Sequence, residues 1–324
     1  MTGMRSQEGV ASPILFLVFN RPDLTEKVFS AVRAARPSRL YLAADGPRKD
    51  RPGEEFLCQK VRKIATNVDW PCEVQTLFRE KNLGCGRAVK EAIDWFFEQE
   101  EEGIILEDDC LPQSCFFRYA ENLLERFRTD DRVSMISGFN GANRCTWTPS
   151  GIKFTIIPHI WAWATWRRSW RGNFPDRSEW IVFRDSKAFA STVAYEPAMN
   201  MWRRQINEFF EGKIDTWDLP WIVKIWMAGQ LSISPGVNLV ENIGFDERGT
   251  HTQVGNPSIQ RLEQGELQFP LCVGEVNADR GWERSVYENT FDIERPNLRK
   301  IVKTRLRKWQ LWTQRASKGS LFFR

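Results

Sequence analysis

Long apolar runs are missing from this chain of 324 residues. No stretch reaches the roughly 18 consecutive apolar residues that a membrane-spanning helix requires. The first residues, MTGMRSQEGVASP, contain no apolar segment typical of a secretory signal peptide. We therefore expect a cytoplasmic protein.

The cysteines and histidines form no pattern typical of a disulfide framework or a cluster of metal ligands. The seven cysteines are odd in number and include no CxxC pair, so neither a disulfide framework nor a zinc site is indicated. There are only two histidines, His159 and His251. His159 is expected to be structural. His251, in the polar segment GTHT, is a candidate contact for a metal or a diphosphate, with a surface histidine as the alternative.

Acidic residues are absent from positions 295–324, which contain ten Lys or Arg. Since the whole chain carries +4, the remaining 294 residues carry −6. Apolar residues recur at nearly helical intervals in this basic tail. This pattern is typical of a helix that binds an anionic membrane surface. The alternative is a helix packed on the body of the protein. No motif supports binding to nucleic acid.

The first half alternates between apolar strands and amphipathic helices. Such alternation predicts an α/β fold with a mostly parallel sheet and helices on both faces. The predicted strands are 13–20, 39–46, 72–79, 103–109 and 132–140, and the predicted helices are 23–35, 54–65, 86–99 and 113–128.

Polar side chains follow the predicted strands, at the edge where ligands bind in such sheets. Asn20 and Arg21 follow the first strand, Asp45 the second and Arg79 the third. Glu107, Asp108 and Asp109 end the segment GIILEDD. Like charges this close repel one another unless a cation compensates them. Carboxylate oxygens suit Mn²⁺ or Mg²⁺, with water and phosphate completing the coordination. The alternative is a solvated acidic turn before a helix.

The second half is rich in tryptophan, with ten of the fifteen between Trp147 and Trp226. An indole face can stack on a sugar ring, although most tryptophans pack in cores. We expect one or two of four tryptophans to line a cleft while the others pack: Trp161, Trp163, Trp166 and Trp217. Helices are predicted at 196–210 and within 215–229, and a strand at 231–245. The alternation ends near 145, which suggests two halves of one domain, 1–145 and 146–294, followed by the basic amphipathic tail 295–324.

Six motifs in order resemble the GT-A glycosyltransferases, in particular the N-acetylglucosaminyltransferase I family and related bacterial sugar transferases. They are PILFLVFNR, NLGCGRAVKEAIDWFF, EDD, LPQSCFFRY, WAWATW with TWDLPW, and THT. They span about residues 13 to 252. The resemblance implies a GT-A fold, Rossmann-like with a Trp-rich acceptor half. It also implies an inverting, metal-dependent hexosyltransferase that uses a nucleotide-diphosphate sugar, with UDP-N-acetylglucosamine as the first expectation.

The resemblance also implies roles for individual residues. Asp109 would coordinate the metal, and Asp218 would be the catalytic base, with Asp215 as second candidate. Asp218 could instead cap the following helix. The acceptor would be a glycan or a lipid-linked hydroxyl in a cleft near Trp161, Trp163 and Trp217. The residues implied in donor binding are Asn20, Arg21, Asp45, Arg79, Arg87, Glu107 and Asp108.

Two other functions remain open from the sequence. A sugar nucleotidyltransferase shares the layout of strands and carboxylates, but it usually carries a Gly-rich basic signature after the first strand, where this chain has FNRPD. A non-enzymatic protein that binds carbohydrate or membrane through its tryptophans would not need Asp109 or Asp218.

Overall fold

An eight-stranded sheet forms the centre of the computed structural model, which describes residues 9–245 and 262–293. Along the sheet the strands run in the order β3-β2-β1-β4-β8-β6-β9-β7, and β5 pairs with β10 in a small second sheet. The strands are β1 (Ile14–Val18), β2 (Arg39–Ala44), β3 (Glu73–Phe78), β4 (Glu102–Glu107), β5 (Cys110–Pro112), β6 (Val133–Ser137), β7 (Ile152–Thr155), β8 (Trp163–Trp166), β9 (Leu231–Pro235) and β10 (Val240–Asn242).

Strands β1 to β4 are parallel to one another, and β6 is parallel to β9. Strand β8 runs antiparallel between β4 and β6, and β7 runs antiparallel to β9. The predicted α/β fold with a mostly parallel sheet is thereby confirmed. Strand β8 was not predicted, because it is only four residues long and the residues beside it do not indicate turns.

Helices cover both faces of the sheet. Successive residues of β1 point to opposite sides, so Ile14 and Phe16 join one hydrophobic core while Leu15 and Leu17 join the other. The helices are α1 (Pro22–Ala35), α2 (Glu54–Ala65), α3 (Cys85–Gln99), α4 (Ser114–Arg126), α5 (Arg167–Trp170), α6 (Arg177–Arg184), α7 (Lys187–Thr192), α8 (Glu196–Phe210), α9 (Asp218–Met227) and α10 (Arg280–Asn289).

The tryptophans of the second half mostly fill the core beneath the sheet. Trp163 and Trp166 alternate along β8, so Trp163 enters one core and Trp166 the other. Trp163 stacks on Trp217 with ring centroids 5.4 Å apart, and Trp170 packs beside Trp221 at 5.0 Å. Large aromatic side chains bury much apolar area each, so this cluster supplies a considerable part of the driving force for folding.

The proposed boundary near residue 145 does not separate two sheets, since β7, β8 and β9 complete the sheet that β1 to β4 begin. Within the described part of the chain, none of the helices has both the length and the apolar character needed to cross a bilayer. His251 and the basic tail 295–324 lie outside the described residues.

Candidate functional site

A cavity of about 280 Å³ opens where β1, β2, β3 and β4 end. The carboxyl ends of parallel strands meet at one edge of a sheet, which brings their exit residues together. We call this space the strand-end cavity. Its apolar wall includes Leu17 and Ala43 from the strands and Ala88, Val89 and Ala92 from α3, and its polar wall includes Asn20, Arg21, Asp45, Arg79, Glu107 and Asp108.

Arg21 joins the end of β1 to the carboxylates that follow β4. Its Nη2 donates to Asp108 Oδ1 and also lies 3.0 Å from Asp109 Oδ2. The backbone N–H of Phe19 donates to the other oxygen of Asp108 at 3.3 Å. Asp108 is therefore held by two residues of the segment that follows β1 and is only 3 % exposed. The structure brings these predicted residues together at one point.

The carboxylates at this point repel one another in a place from which water is largely excluded. Burial, followed by the charges of Asp109 and Asp108, raises the pKa of Glu107 to about 8. Burial also raises the pKa of Asp108 to about 6, although Arg21 opposes the shift. Burial lowers the pKa of the Arg21 guanidinium, but Asp108 and Asp109 outweigh it and hold that pKa above its usual value. One guanidinium therefore faces three carboxyl groups.

Asp45 has a different environment from the one expected for a contact to base or ribose. Its carboxylate accepts hydrogen bonds from the backbone N–H groups of Leu83 at 3.0 Å and Gly84 at 3.2 Å, and from Asn82 Nδ2 at 2.9 Å. Burial raises the pKa of Asp45 against these hydrogen bonds. Asp45 lines the cavity, but its oxygens are engaged in fixing the loop 82–84. The predicted contact of Asp45 with the base or ribose stays a prediction, beside this structural role.

The other predicted donor-side residues divide into two groups. Asn20 and Arg79 line the strand-end cavity, with Asn20 Nδ2 donating to Glu54 at 2.9 Å. Arg87 instead lies on the outer side of α3 with its side chain 69 % exposed, paired with Glu91 at 2.6 Å. Consecutive residues of a helix point about 100° apart around its axis, so Ala88 can face the cavity while Arg87 does not. The expected contact of Arg87 with the nucleotide stays a prediction, and it lacks support from the lining of the cavity.

A second cavity of about 520 Å³ adjoins the strand-end cavity at Glu107. It shares Arg21, Cys85 and Glu107 with the strand-end cavity. Aromatic rings form much of its wall, and we call it the aromatic cavity: Phe139, His159, Trp161, Trp202, Trp217 and Phe291. Asp109, Thr216 and Asp218 supply polar groups. The two cavities thus meet at a group of carboxylates.

Asp218 begins α9 and faces the aromatic cavity. Its Oδ1 accepts from the hydroxyl of Thr216 and from the backbone N–H of Leu219 at 2.9 Å. These two donors orient the carboxylate at the cavity wall. Asp215 is the other predicted base, but it lines the strand-end cavity, where its Oδ1 accepts from the backbone N–H of Gly86 at 3.1 Å.

Only some of the tryptophans proposed for the acceptor cleft reach it. Trp161 and Trp217 line the aromatic cavity, and Trp161 also packs edge-on against Phe245 at 5.8 Å between ring centroids. Trp163 is 0 % exposed within the core, so it cannot meet an acceptor there, and its predicted role is corrected. The physical reason is the pleat of β8, which turns Trp163 inward toward Trp170 and Trp217.

Residues 9–245 and 262–293 contain no group of three or more His, Cys, Asp or Glu arranged to hold a metal ion. The donor set at Glu107 and Asp109 nevertheless fits a hard divalent cation, because it consists of carboxylate oxygens that outnumber the nearby positive charge. Such an ion would need further oxygen ligands from water or a phosphate.

Sequence reasoning missed several residues of the site. His159 lines the aromatic cavity, and burial lowers its pKa to about 3. Phe139 follows the end of β6, so the rule used for the other strand exits would have identified it. Cys85 lines both cavities from the first turn of α3. The placement of Phe291 after α10 had no signal in the sequence.

No protein-family model matches the sequence, and no curated protein matches it. Solved structures similar to it include UDP-glucose pyrophosphorylase complexed with UDP-glucose, 9 % identical over 69 % of this chain and 90 % of that one, with a TM-score of 0.34. The inositol-1-phosphate CTP transferase from T. maritima is 12 % identical over 50 % of this chain and 74 % of that one, with a TM-score of 0.31. Likenesses this weak identify neither a family nor an activity for this chain.

Proposed function

We propose that the protein is a glycosyltransferase that moves a sugar from a nucleoside-diphosphate donor in the strand-end cavity to an acceptor hydroxyl in the aromatic cavity. The observation that carries the proposal is the shared wall of the two cavities. Arg21, Cys85 and Glu107 line both, so ligands in the two spaces would meet at these residues. A transfer between two substrates requires such proximity of donor and acceptor.

The strand-end cavity suits the nucleotide part of the donor. Its apolar wall of small side chains offers a surface for a flat base, and Arg79 and Asn20 offer polar contacts. UDP-N-acetylglucosamine is the first donor to test, on the resemblance to the N-acetylglucosaminyltransferase I family. The leaving diphosphate would lie toward Arg21, the positive group next to Asp108 and Asp109.

A divalent cation, Mn²⁺ or Mg²⁺, would be held by Asp109, with Glu107 beside it and His251 as a further candidate. When bound, it would stabilise negative charge on the leaving diphosphate. A thermal-shift panel of UDP, GDP, dTDP and CDP, each with and without Mn²⁺, tests this site. We expect one nucleotide to stabilise the wild type only with Mn²⁺, by about 2.7 kcal/mol at a hundredfold excess over Kd.

Asp109→Asn should lose the nucleotide-dependent shift, while Asp185→Asn should keep it, because Asp185 is exposed and pairs with Arg184 away from both cavities. An equal shift with Mn²⁺ and with a chelator would contradict the metal site and leave the nucleotide site standing.

The proton of the acceptor hydroxyl would pass to Asp218. The hydroxyl oxygen forms a bond to the anomeric carbon while the bond from that carbon to the diphosphate breaks. The resemblance to the N-acetylglucosaminyltransferase I family implies that the hydroxyl attacks from the face opposite the leaving diphosphate, which inverts the anomeric centre. General-base assistance of this kind contributes about 10²- to 10⁴-fold to rates.

Aromatic rings and neutral polar groups in the aromatic cavity suit a glycan acceptor, free or lipid-linked. For a lipid-linked acceptor, the basic segment 295–324 would bring the enzyme to an anionic membrane surface. Flotation with anionic vesicles tests this contact. Full-length protein should float, protein truncated after residue 294 should not, and full-length protein that stays at the bottom contradicts it.

A sugar nucleotidyltransferase is the main rival. It would bring a nucleoside triphosphate and a sugar phosphate together, so both ligands would be strongly negative. The aromatic cavity instead presents the carboxylates of Asp109 and Asp218, and in the described residues the one Lys or Arg that lines it is Arg21, toward which the diphosphate of the donor would already lie. This charge pattern favours a neutral second substrate.

The deciding experiment compares two products. Nucleotide sugars are incubated with a panel of glycan acceptors, and nucleoside diphosphate release is measured. In parallel, nucleoside triphosphates are incubated with sugar 1-phosphates, and pyrophosphate release is measured. We expect acceptor-dependent release of nucleoside diphosphate. Pyrophosphate release alone would establish the rival. If neither product forms, a binding role for the tryptophans is the next function to test.

A further inference from the structure

His159 has a ring nitrogen without a hydrogen-bond partner, in the wall of the aromatic cavity. The side chain is partly exposed and lines this cavity, but its Nε2 is buried and forms no hydrogen bond to any residue that the structure describes. A buried polar nitrogen without a partner destabilises the folded state, and native proteins contain few such atoms. A ligand in the cavity would supply the missing partner.

Aromatic rings hold the imidazole in place. Its centroid lies 4.6 Å from that of Phe139 and 6.0 Å from that of Phe291, with only 23° between the planes of His159 and Phe291. Trp161, two positions after His159, also packs on Phe139, edge-on at 4.7 Å. A phenylalanine side chain has no conventional donor or acceptor, so these contacts fix the ring without satisfying its nitrogens.

The imidazole of His159 is neutral at physiological pH. Burial lowers its pKa to about 3, and none of the carboxylates in the described residues opposes this shift. A neutral imidazole has one N–H donor and one acceptor nitrogen. It does not pair by charge with a carboxylate or a phosphate, and with this pKa it is a poor base for the proton of the acceptor. Its chemistry matches a hydroxyl group, which both donates and accepts.

We propose that His159 determines specificity for the acceptor, through a hydrogen bond between its neutral imidazole and a hydroxyl of an uncharged sugar. This hydroxyl is a different one from the attacking hydroxyl, whose proton passes to Asp218. A half-turn of the ring about its Cβ–Cγ bond exchanges nitrogens and carbons in nearly the same outline, so the ring can turn a nitrogen to the sugar. Trp161 would pack on the C–H face of the same sugar. The inference rests on the proposed function and gives His159 more than the structural role expected from the sequence.

Deoxy sugars test this hydrogen bond. The methyl glycosides of glucose, galactose, mannose and N-acetylglucosamine are assayed as acceptors of the wild type, and the best of them is compared with its monodeoxy analogues. We expect one hydroxyl, other than the attacking one, whose removal raises KM about tenfold. His159→Phe should raise KM for the complete glycoside by a similar factor, because phenylalanine keeps the ring contacts but forms no hydrogen bond.

The two changes should not be additive, because they remove the same hydrogen bond. Applied together, they should raise KM about tenfold rather than a hundredfold. Trp161→Ala is the matched control, since it also raises KM but should leave the sensitivity to the deoxy analogue unchanged. If His159→Phe still prefers the complete glycoside tenfold over the deoxy analogue, the inference is overturned and the proposed function stands.

Binding measured without a donor separates the inference from the proposed function. Saturation-transfer NMR compares the affinity of the methyl glycosides for wild type and His159→Phe, and thermal unfolding shows whether both proteins are folded. Weaker binding to His159→Phe, with no sugar transfer by the wild type, would remove the proposed function and retain His159 as a sugar contact. Equal binding to both proteins would overturn the inference whatever the activity. If no glycoside binds the wild type or accepts a sugar from it, the inference falls together with the proposed acceptor.

Discussion

Arg21 Nη2 lies 3.0 Å from Asp109 Oδ2 while it also donates to Asp108, so one guanidinium bridges two consecutive carboxylates. Both partners are largely buried, with side chains 14 % exposed for Arg21 and 4 % for Asp108. The backbone of the segment after β10 closes over this group, since a Cβ atom at Gly244 would lie 2.4 Å from Asp109 Oδ2. The bridge is thus part of both the stability and the charge of the site.

Removing the guanidinium should destabilise the protein strongly. Arg21→Met leaves Asp108 buried without its counter-charge, which typically costs about 3–5 kcal/mol. Urea denaturation measures the loss. Arg87→Met is the matched control, because its pair with Glu91 is exposed and should cost less than about 1 kcal/mol. Similar small losses for both variants would show that the bridge contributes little to folding.

Asp218→Asn should remove the proposed base while leaving the donor side intact. We expect kcat to fall by about 10²- to 10⁴-fold, because the amide cannot accept the proton of the acceptor hydroxyl. Nucleotide affinity, measured by calorimetry, should stay within about twofold. Activity within tenfold of the wild type would remove Asp218 from the mechanism, and a lost nucleotide affinity would indicate a role in donor binding instead.

Two tryptophans two positions apart should behave differently. Trp161→Ala removes a ring from the wall of the aromatic cavity and should raise the KM for a glycan acceptor by about tenfold, with a small effect on stability. Trp163→Ala leaves a hole in the core and should cost about 3–5 kcal/mol of unfolding free energy. Acceptor kinetics and urea denaturation of both variants provide the comparison. Equal effects of the two substitutions on KM and on stability would contradict the placement of Trp161 at the cavity wall and of Trp163 in the core.

His159 makes stability depend on pH. Burial lowers its pKa to about 3 in the folded state from an ordinary 6.5, so the unfolded chain binds one more proton between these values. The contribution of neutral His159 to the free energy of unfolding is fully present above about pH 6.5. It is lost as the pH falls toward 3, at up to about 1.4 kcal/mol per pH unit. Urea denaturation at pH 7, 6 and 5 measures this slope.

His159→Phe should flatten that slope, because phenylalanine keeps the ring contacts with Phe139 and Phe291 but takes up no proton. The other titrating groups are common to both proteins, so the difference isolates His159. Parallel pH profiles for wild type and variant would show that His159 is not buried in its neutral form.

Local patterns were sufficient for the elements of the first half. The sequence patterns in 54–65 and 86–99, the second with its apolar residues on one helical face, predicted helices that the structure places at Glu54–Ala65 and Cys85–Gln99. The strand exits could also be read, because a parallel sheet collects them at one edge whatever the details of packing. This rule placed Asn20, Arg21, Arg79, Glu107 and Asp108 at one cavity.

The sequence by itself determined the α/β class and the position of the carboxylate group, since both follow from short-range periodicity and the geometry of parallel strands. Only the tertiary structure decided how those groups are used. Asp45 turned to the loop 82–84, Arg87 to solvent and Trp163 to the core. Asp215 met Gly84 and Gly86 across 129 positions. Such contacts depend on which segments fold back on one another, and that information lies in the packing of the whole chain rather than in any local pattern.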